Sequence, residues 1–537
     1  MPTAASSPQR KICVSTNTPE AFRRYLVPAR QSIVFLALLG LPIGAAQVSP
    51  SSTVHTPPTT VISQFGSPEV RKRLSAPLRT ATTGDTLAPS PCPMAHCDPQ
   101  MSDNEHVVMA TSTVTITWAF SQTGVTSGAG LGCSAGITFT VCAGKNPTGS
   151  SAYDLPYVYA LRATTGQLLW NSGHLLNGSV NWGAPLIDAG GNTYVADDNY
   201  IASFDAGGAL RWRVPNPAQA APTSLNMTAG GYLVGQGRIG PVVVVDPATG
   251  RVTGSLLLQD TINGTSGIFA TINTVTVLGN RVYTVTQFCP STGCAQTFTT
   301  FSPGRLYAID VIQGVPHVAW HWDFEGLSGA SPLAIAGSPY PTIYFDGAGL
   351  AQGDPHHPWL FAVQDAGTTP ILKWSVDFTA SYGIPYYLGI QASPARDPRG
   401  GVWVWVTQDT RLFRLDEQTG APLQTIDVST LLGRAGFGPS SATSIALNAG
   451  KPIMLLGARL QATGTGPTFV LALDLNSGTL LWQLRGGTGT QGFPGQFPIV
   501  RTIAGPVIIA PRRDGTILGV QLRWPPAIAR FLGAATT

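Results

Sequence analysis

Three stretches of the sequence bring together side chains that could do chemistry. His317, His321, Asp323 and Glu325 alternate with Trp320, Trp322 and Phe324. Strand alternation puts the imidazoles and carboxylates on one face and the aromatics on the other. Such a polar face could hold a metal ion, but an outer strand with a solvated face explains the pattern equally simply and is the expectation. Asp354, His356 and His357 stand in a loop before Trp359. Two neighbouring histidines and a carboxylate could ligate a metal, yet an exposed polar loop is expected. Asp197-Asp198-Asn199 lies between two strands; carboxylates and amides suit calcium, but Asp and Asn also build tight hairpin turns, and a turn is expected. No metal site is expected.

The seven cysteines point to disulfides. Cys13 lies in the leader, and the other six form three local pairs: Cys92 with Cys97, Cys133 with Cys142, and Cys289 with Cys294. An even count in close pairs fits an oxidising compartment. The loops so closed are short, so each bridge would stabilise a local turn. No pair has two-residue metal-ligand spacing, and His96 beside Cys97 fits no standard ligand pattern. No Cys-x-x-Cys-His is present, so covalent haem is not expected.

Several function classes are disfavoured. No Gly-x-Ser-x-Gly elbow stands before a helix, and no α/β alternation is there to hold one. Glycosidase chemistry needs two facing carboxylates; with charged residues at only 11 % of 537 and the acidic ones spread over turns, no pair stands out. A net charge of +4 over this length gives no basic stripe for nucleic acid.

The first 46 residues read as a signal peptide. Arg10, Lys11, Arg23, Arg24 and Arg30 precede an apolar run from Ile33 to Ala46, and Gly44-Ala45-Ala46 offers small residues for cleavage. The run is shorter than the roughly 20 residues a spanning helix needs, so the mature chain is not expected to cross a membrane. Arg23-Arg24-Tyr25-Leu26 loosely resembles a twin-arginine motif, and an ordinary Sec signal is favoured. No cysteine closely follows the apolar run, which argues against a lipoprotein anchor. Residues 47–105, rich in Pro, Ser and Thr, read as a disordered linker.

From His106 onward the texture is that of strands: short β-branched or alternating runs such as Thr113–Trp118, Arg281–Val285 and Gly401–Val406, split by Gly and Asn-Gly or Asp-Gly signals. A unit recurs within it: a strand with Ala two places before Asp, a turn ending in Gly, then a strand carrying Trp. Its clearest copy runs from Leu471 through Ala472, Asp474 and Gly478 to Trp482. Others centre on Arg162, Asp205, Asp246, Asp310, Gln364 and Asp416, two of them without the Trp. The tightest steps are about 40 residues, the length of a four-stranded propeller blade. Asp and Thr can cap the turn, Gly supplies positive φ, and the Trp can pack against the neighbouring blade. An eighth unit near Phe497 ends without its Trp strand, which 107–120 could supply to close the ring. The expected fold is therefore all-β: a closed propeller of four-stranded antiparallel blades over 106–524, eight blades favoured over seven, with 525–537 as a tail.

The repeat resembles the tryptophan-docking motif of pyrroloquinoline-quinone (PQQ) propellers, the quinoprotein alcohol dehydrogenase-like family, over roughly 107–524. Enzymes of that family bind the quinone over a central Trp floor, hold calcium through acidic and amide side chains, use an Asp as base, and often carry a disulfide between adjacent cysteines. This chain has no adjacent cysteine pair, and neither the calcium ligands nor the Asp base can be matched here, so the resemblance assigns no catalytic residue. Other members are non-catalytic. In this architecture Trp182, before the first strand of its blade, would lie near the axial channel, where it could stack on a planar ligand or simply pack. The expected function is an exported, non-catalytic propeller binding a protein, glycan or small molecule on its loop face or channel, with no cofactor. The alternative is a PQQ- and calcium-dependent or divergent oxidoreductase. A Trp floor beside clustered acids would favour the enzyme; a plugged channel would favour binding.

Overall fold

The computed structural model describes residues 86–109, 114–121, 132–144, 158–176, 183–218, 224–290, 303–326, 328, 330–347, 358–384, 393–406, 409–447, 451–461, 466–488, 496–512 and 514–522. All of them fall within one compact unit, Pro57–Thr537. The expected signal peptide, linker residues 47–85, Asp354, His356, His357, Trp182, Cys294 and the tail lie outside the described residues.

The described residues form eight four-stranded blades whose strands follow one another antiparallel from the axis outward. In chain order they span 132–171, 186–215, 226–256, 259–324, 333–377, 395–427, 437–488 and 499–522, here blades 1 to 8. Blade 4 carries an extra hairpin, Gln259–Ile262 with Thr265–Ala270. The ring closes as the sequence implied: Val114–Phe120 forms the outermost strand of blade 8, pairing antiparallel with Ile517–Leu522. Closure leaves no blade as an open end of the ring. Helix is confined, among the described residues, to single turns at Phe378–Tyr382 and Val428–Leu432. Asp377 and Asp427 cap them by accepting from backbone N–H groups, and Gly383 and Gly433 end them in the left-handed region.

The repeat has a physical explanation in register. In every blade the outermost strand bulges by one residue just before the docking position. The bulged residues are Thr117, Leu169, Arg211, Thr253, Ala319, Lys373, Leu423 and Leu481. A bulge bends and twists its strand, which turns the following side chain toward the next blade. Where that residue is Trp, the residue opposite on the third strand is small: Gly519, Ala160, Ser203, Ala308, Ala362 or Ala472. Where the Trp is lost, as at Gly254 and Gln424, the opposite residue is Val244 or Arg414. The Ala of the sequence motif therefore makes room for the ring.

The indoles dock on the turn of the following blade. Trp118 donates to Ala163 O at 2.8 Å, Trp212 to Pro247 O at 2.9 Å, Trp320 to Asp365 Oδ1 at 2.8 Å and Trp374 to Glu417 O at 3.1 Å. The core lies between blades. Trp170, Ala160 and Val158 of blade 1 pack on Ile187, Val195, Ala202 and Phe204 of blade 2. Burying rings of this size accounts for much of the holding energy of the ring.

One sequence expectation is corrected. Residues 86–105 are not a disordered linker. Cys92, Met94, Met101, Asp103 and Glu105 are buried, and Asn104–Glu105 pairs parallel with Ile445 and Ala446 of blade 7. Composition misled because Pro removes donors and no helical or strand period is present, although a segment can be ordered wholly by carbonyls accepting from a surrounding scaffold.

Candidate functional site: the occupied axis

The innermost strand of a blade has a free edge of N–H groups facing the axis. Residues 86–109 satisfy these edges. Ala135 of blade 1 donates to Cys92 O at 2.7 Å and Ile187 of blade 2 to Pro93 O at 2.9 Å. Val277 of blade 4 donates to Pro99 O at 2.7 Å, and Ala334 of blade 5 to Gln100 O at 3.0 Å. Arg396 of blade 6 donates to Ser102 O at 3.0 Å, and Ile445 of blade 7 to Asp103 O at 2.7 Å. In blade 3 the Asn226 side chain donates to Pro99 O at 3.0 Å, and in blade 8 the Ile499 N–H donates to Glu105 Oε2 at 2.7 Å. One segment thus hydrogen-bonds to all eight blades, which places it along the axis as a plug.

The plug is braced internally. The Cys92–Cys97 disulfide closes its first turn, and Asp103 N donates to His96 O at 3.0 Å. His96, Cys97, Met101 and Asp103 all have positive φ, from 56° to 71°. Non-glycine residues seldom adopt this region, and such strain persists only where the surroundings enforce it. Gln496 supplies part of that enforcement: its Nε2 donates to Met94 O at 2.8 Å and Cys133 O at 3.2 Å, and its Oε1 accepts from His96 N.

A polar cluster runs along the plug. His96 Nδ1 lies 2.9 Å from Asp103 Oδ1, and its Nε2 lies 3.1 Å from Ser393 Oγ at the entry to blade 6. Asp103 is fully buried, and Thr443 Oγ1 stands 3.5 Å from its other oxygen. Asp98 accepts from Ser102 N at 3.0 Å and from its hydroxyl. Burial alone would push the His96 imidazole down, but the Asp103 charge and hydrogen bond, with Asp98 behind them, hold it above its ordinary value. Burial pushes the Glu105 carboxyl up to about 8, only partly offset by its bonds from Ile499 and Ser444. Its Oε1 has no hydrogen-bond partner among the described residues. Cys92, Cys97 and Glu105 bring their ligand atoms within 4.8 Å of one another. With both sulfurs joined and the Glu105 carboxyl held protonated near neutral pH, this set is not a cation site.

The residues singled out from sequence are placed as follows. Cys133 and Cys142 are directly opposed across the two inner strands of blade 1 and bridged. Cys289, at the end of the blade 4 strand Arg281–Pro290, is disulfide-bonded; Cys294, its expected partner, lies outside the described residues. In the outer strand Val315–Phe324, Trp320 and Phe324 are buried and His321 and Asp323 turn to the opposite face. That face is more than solvated. Arg305 pairs with Asp323 and with Asp260 of the extra hairpin, and burial followed by the Arg305 charge lowers the His321 imidazole. Asp197 accepts from Asn199 N at 2.8 Å and Tyr200 N at 2.6 Å, the hairpin turn expected of it. Trp182, Asp354, His356 and His357 cannot be placed, being outside the described residues. Sequence reasoning set His96 aside as a metal ligand and missed Asp98, Asp103, Glu105, Ser393 and Gln496. The available signal was local: one histidine and three carboxylates within ten residues of a chain with 11 % charge.

The comparisons agree with the repeat and the ring. A family model described as outer membrane protein assembly factor BamB matches residues 103–338. No curated protein sequence matches the chain. Among solved structures, a quinohemoprotein alcohol dehydrogenase from Pseudomonas putida HK5 is 11 % identical with a TM-score of 0.56, over 83 % of this chain and 82 % of that one. A europium-containing methanol dehydrogenase is 14 % identical with a TM-score of 0.53, over 82 % and 92 %. The quinohemoprotein alcohol dehydrogenase of Comamonas testosteroni is 12 % identical with a TM-score of 0.52, over 81 % of each chain. At these identities the likeness is one of fold. Eight blades and the docked indoles make this chain a β-propeller, and over residues 103–338 its repeats are similar to those of the PQQ-like family.

Proposed function

We propose that the protein is an exported propeller that works by binding a protein, glycan or small molecule on its loop-bearing end, and not by quinone-dependent oxidation. The observation that carries this reading is the occupied axis: carbonyls of Cys92, Pro93, Pro99, Gln100, Ser102 and Asp103 take the inner-strand N–H groups that face it. A planar quinone on an axial aromatic floor would need the same space. The loop-bearing end follows from topology. The longer connections, such as 144–157, 291–303, 348–358 and 384–394, join second to third strands or one blade to the next. Antiparallel succession brings the strand ends that flank both kinds to one end of the ring, and ligand sites favour connections carried on a rigid scaffold. Export is supported by the buried disulfides, which suit an oxidising compartment. No helix among the described residues is long and apolar enough to cross a membrane.

The test is reconstitution of the purified chain with PQQ and calcium. The expected result is no retained quinone absorbance after desalting and no dye reduction with primary alcohols. Stoichiometric retention of PQQ with alcohol-dependent dye reduction would overturn the reading in favour of the oxidoreductase.

A further inference from the structure

The cluster on the plug has a chemical order that its structural role does not require. A hydroxyl, an imidazole and a buried carboxylate stand in sequence: Ser393 Oγ, 3.1 Å, His96 Nε2; His96 Nδ1, 2.9 Å, Asp103 Oδ1. Each atom is the one that acyl transfer uses. A carboxylate on Nδ1 fixes the tautomer that leaves the Nε2 lone pair free to accept the serine proton, and it stabilises the imidazolium that then forms. Such sets are recognised by geometry and role, not by chain order or fold. The three residues come from two segments 297 positions apart, which is why no local motif announced them.

The surroundings hold the set in place. Asp103 is fully buried and its backbone N–H is tied to His96 O at 3.0 Å. His96 N donates to Gln496 Oε1, and the left-handed φ of 56° at His96 and 59° at Asp103 aims both side chains from one turn. Ser393 is 2 % exposed, whereas 14 % of the His96 side chain reaches solvent. With the serine hydroxyl so enclosed, any ester that reaches it must be small and must approach past the His96 side chain.

We infer that Ser393, His96 and Asp103 form an acyl-transfer site for small esters, an activity that goes beyond the binding function proposed above. Ser393 Oγ adds to the ester carbonyl while His96 Nε2 takes its proton. The C–O bond to the alcohol breaks and the alcohol leaves with that proton, giving an acyl-serine. Water then adds to the acyl carbon, again losing a proton to His96, and the carboxylic acid leaves as Ser393 recovers its hydrogen. No redox partner or metal is needed, so atoms and electrons balance with water alone.

The test uses the full exported chain and a small fluorophosphonate, which phosphonylates an activated serine. The expected result is one adduct per chain, mapped by peptide mass spectrometry to Ser393, with a labelling rate that rises with pH as the His96 imidazolium loses its proton. Asp103→Asn should slow labelling at least tenfold, and Ser393→Ala should abolish the adduct and lower p-nitrophenyl acetate turnover to the protein-free rate. No adduct on a chain that melts normally, or adducts spread over other serines, would overturn the inference. So would a labelling rate unchanged in Asp103→Asn. Should Ser393→Ala not fold, the mapped adduct and the pH profile of the unaltered chain decide alone. The PQQ test reads a different ligand, so either conclusion can fail without the other.

Discussion

The α-carbon of Gly519 lies directly beneath the indole of Trp118: a Cβ added there would sit 2.0 Å from Trp118 Cε2. These two residues are paired across the seam that closes the ring, Trp118 from the first outer strand of the chain and Gly519 from the last blade. Gly519→Ala should therefore destabilise by about 1–3 kcal/mol through overpacking, and Trp118→Ala by about 3–5 kcal/mol through the lost ring. Guanidinium unfolding followed by tryptophan fluorescence and far-ultraviolet circular dichroism checks both. A Gly519→Ala chain as stable as the parent would show that the seam is looser than this geometry.

Glu105 predicts an unusual pH dependence. Its carboxyl is raised to about 8 in the folded chain, against about 4.3 for a free glutamate. Between those values the folded state holds a proton that the unfolded state has lost. Stability from this group is thus fully present below about pH 4.3 and falls as pH rises toward 8. Glu105→Gln, an amide of the same shape that can still accept from Ile499, should flatten that slope and raise the melting temperature at pH 8. Thermal melts from pH 5 to 8.5 are the measurement, and parallel curves for the two chains would contradict the assignment.

Removing residues up to 109 should uncover the axial edges. The amides of Ala135, Ile187, Val277, Ala334, Arg396 and Ile445 each donate to the plug, so all should lose protection together in hydrogen exchange. Loss of protection in one or two blades only would argue that the segment is a local patch.

The cysteines should resist modification in the folded chain. Cys92, Cys133 and Cys142 are wholly buried, and both described bridges are formed. Alkylation should add no mass until the protein is both unfolded and reduced. Reducing Cys92–Cys97 should destabilise by about 2 kcal/mol, the loop-closure entropy of so short a loop, with the loss of protection concentrated on the plug. Alkylation of native protein at Cys92 or Cys97 would refute the bridge.

The ring was legible in the sequence because its determinants repeat. Asp474, Gly478 and Trp482 sit in one strand–turn–strand unit, and the copies at Asp205 and Asp310 confirm the spacing. Even the seam could be anticipated, since the eighth unit lacked its Trp strand. The plug was not legible. Its order comes from accepting hydrogen bonds from eight separate blades, and nothing local encodes a partner 297 or 394 residues away, as for His96 with Ser393 and Glu105 with Ile499. The pairing of Cys92 with Cys97 was readable from spacing; that it sits on the axis was not.

The way residues 86–120 are knitted into the ring also bears on how the chain can fold. Thr117 reaches Gly519 across 402 residues and Glu105 reaches Ile499 across 394. This segment, made early, therefore has no complete set of partners until the last blade exists. Contacts of such long sequence separation are slow to form, and the early blades must wait with exposed inner edges and an open seam. The ring can therefore finish closing only after its last blade has been made. Once closed, the same long-range contacts bind the first and last blades to each other, so the ring should open as a whole and not peel from either end.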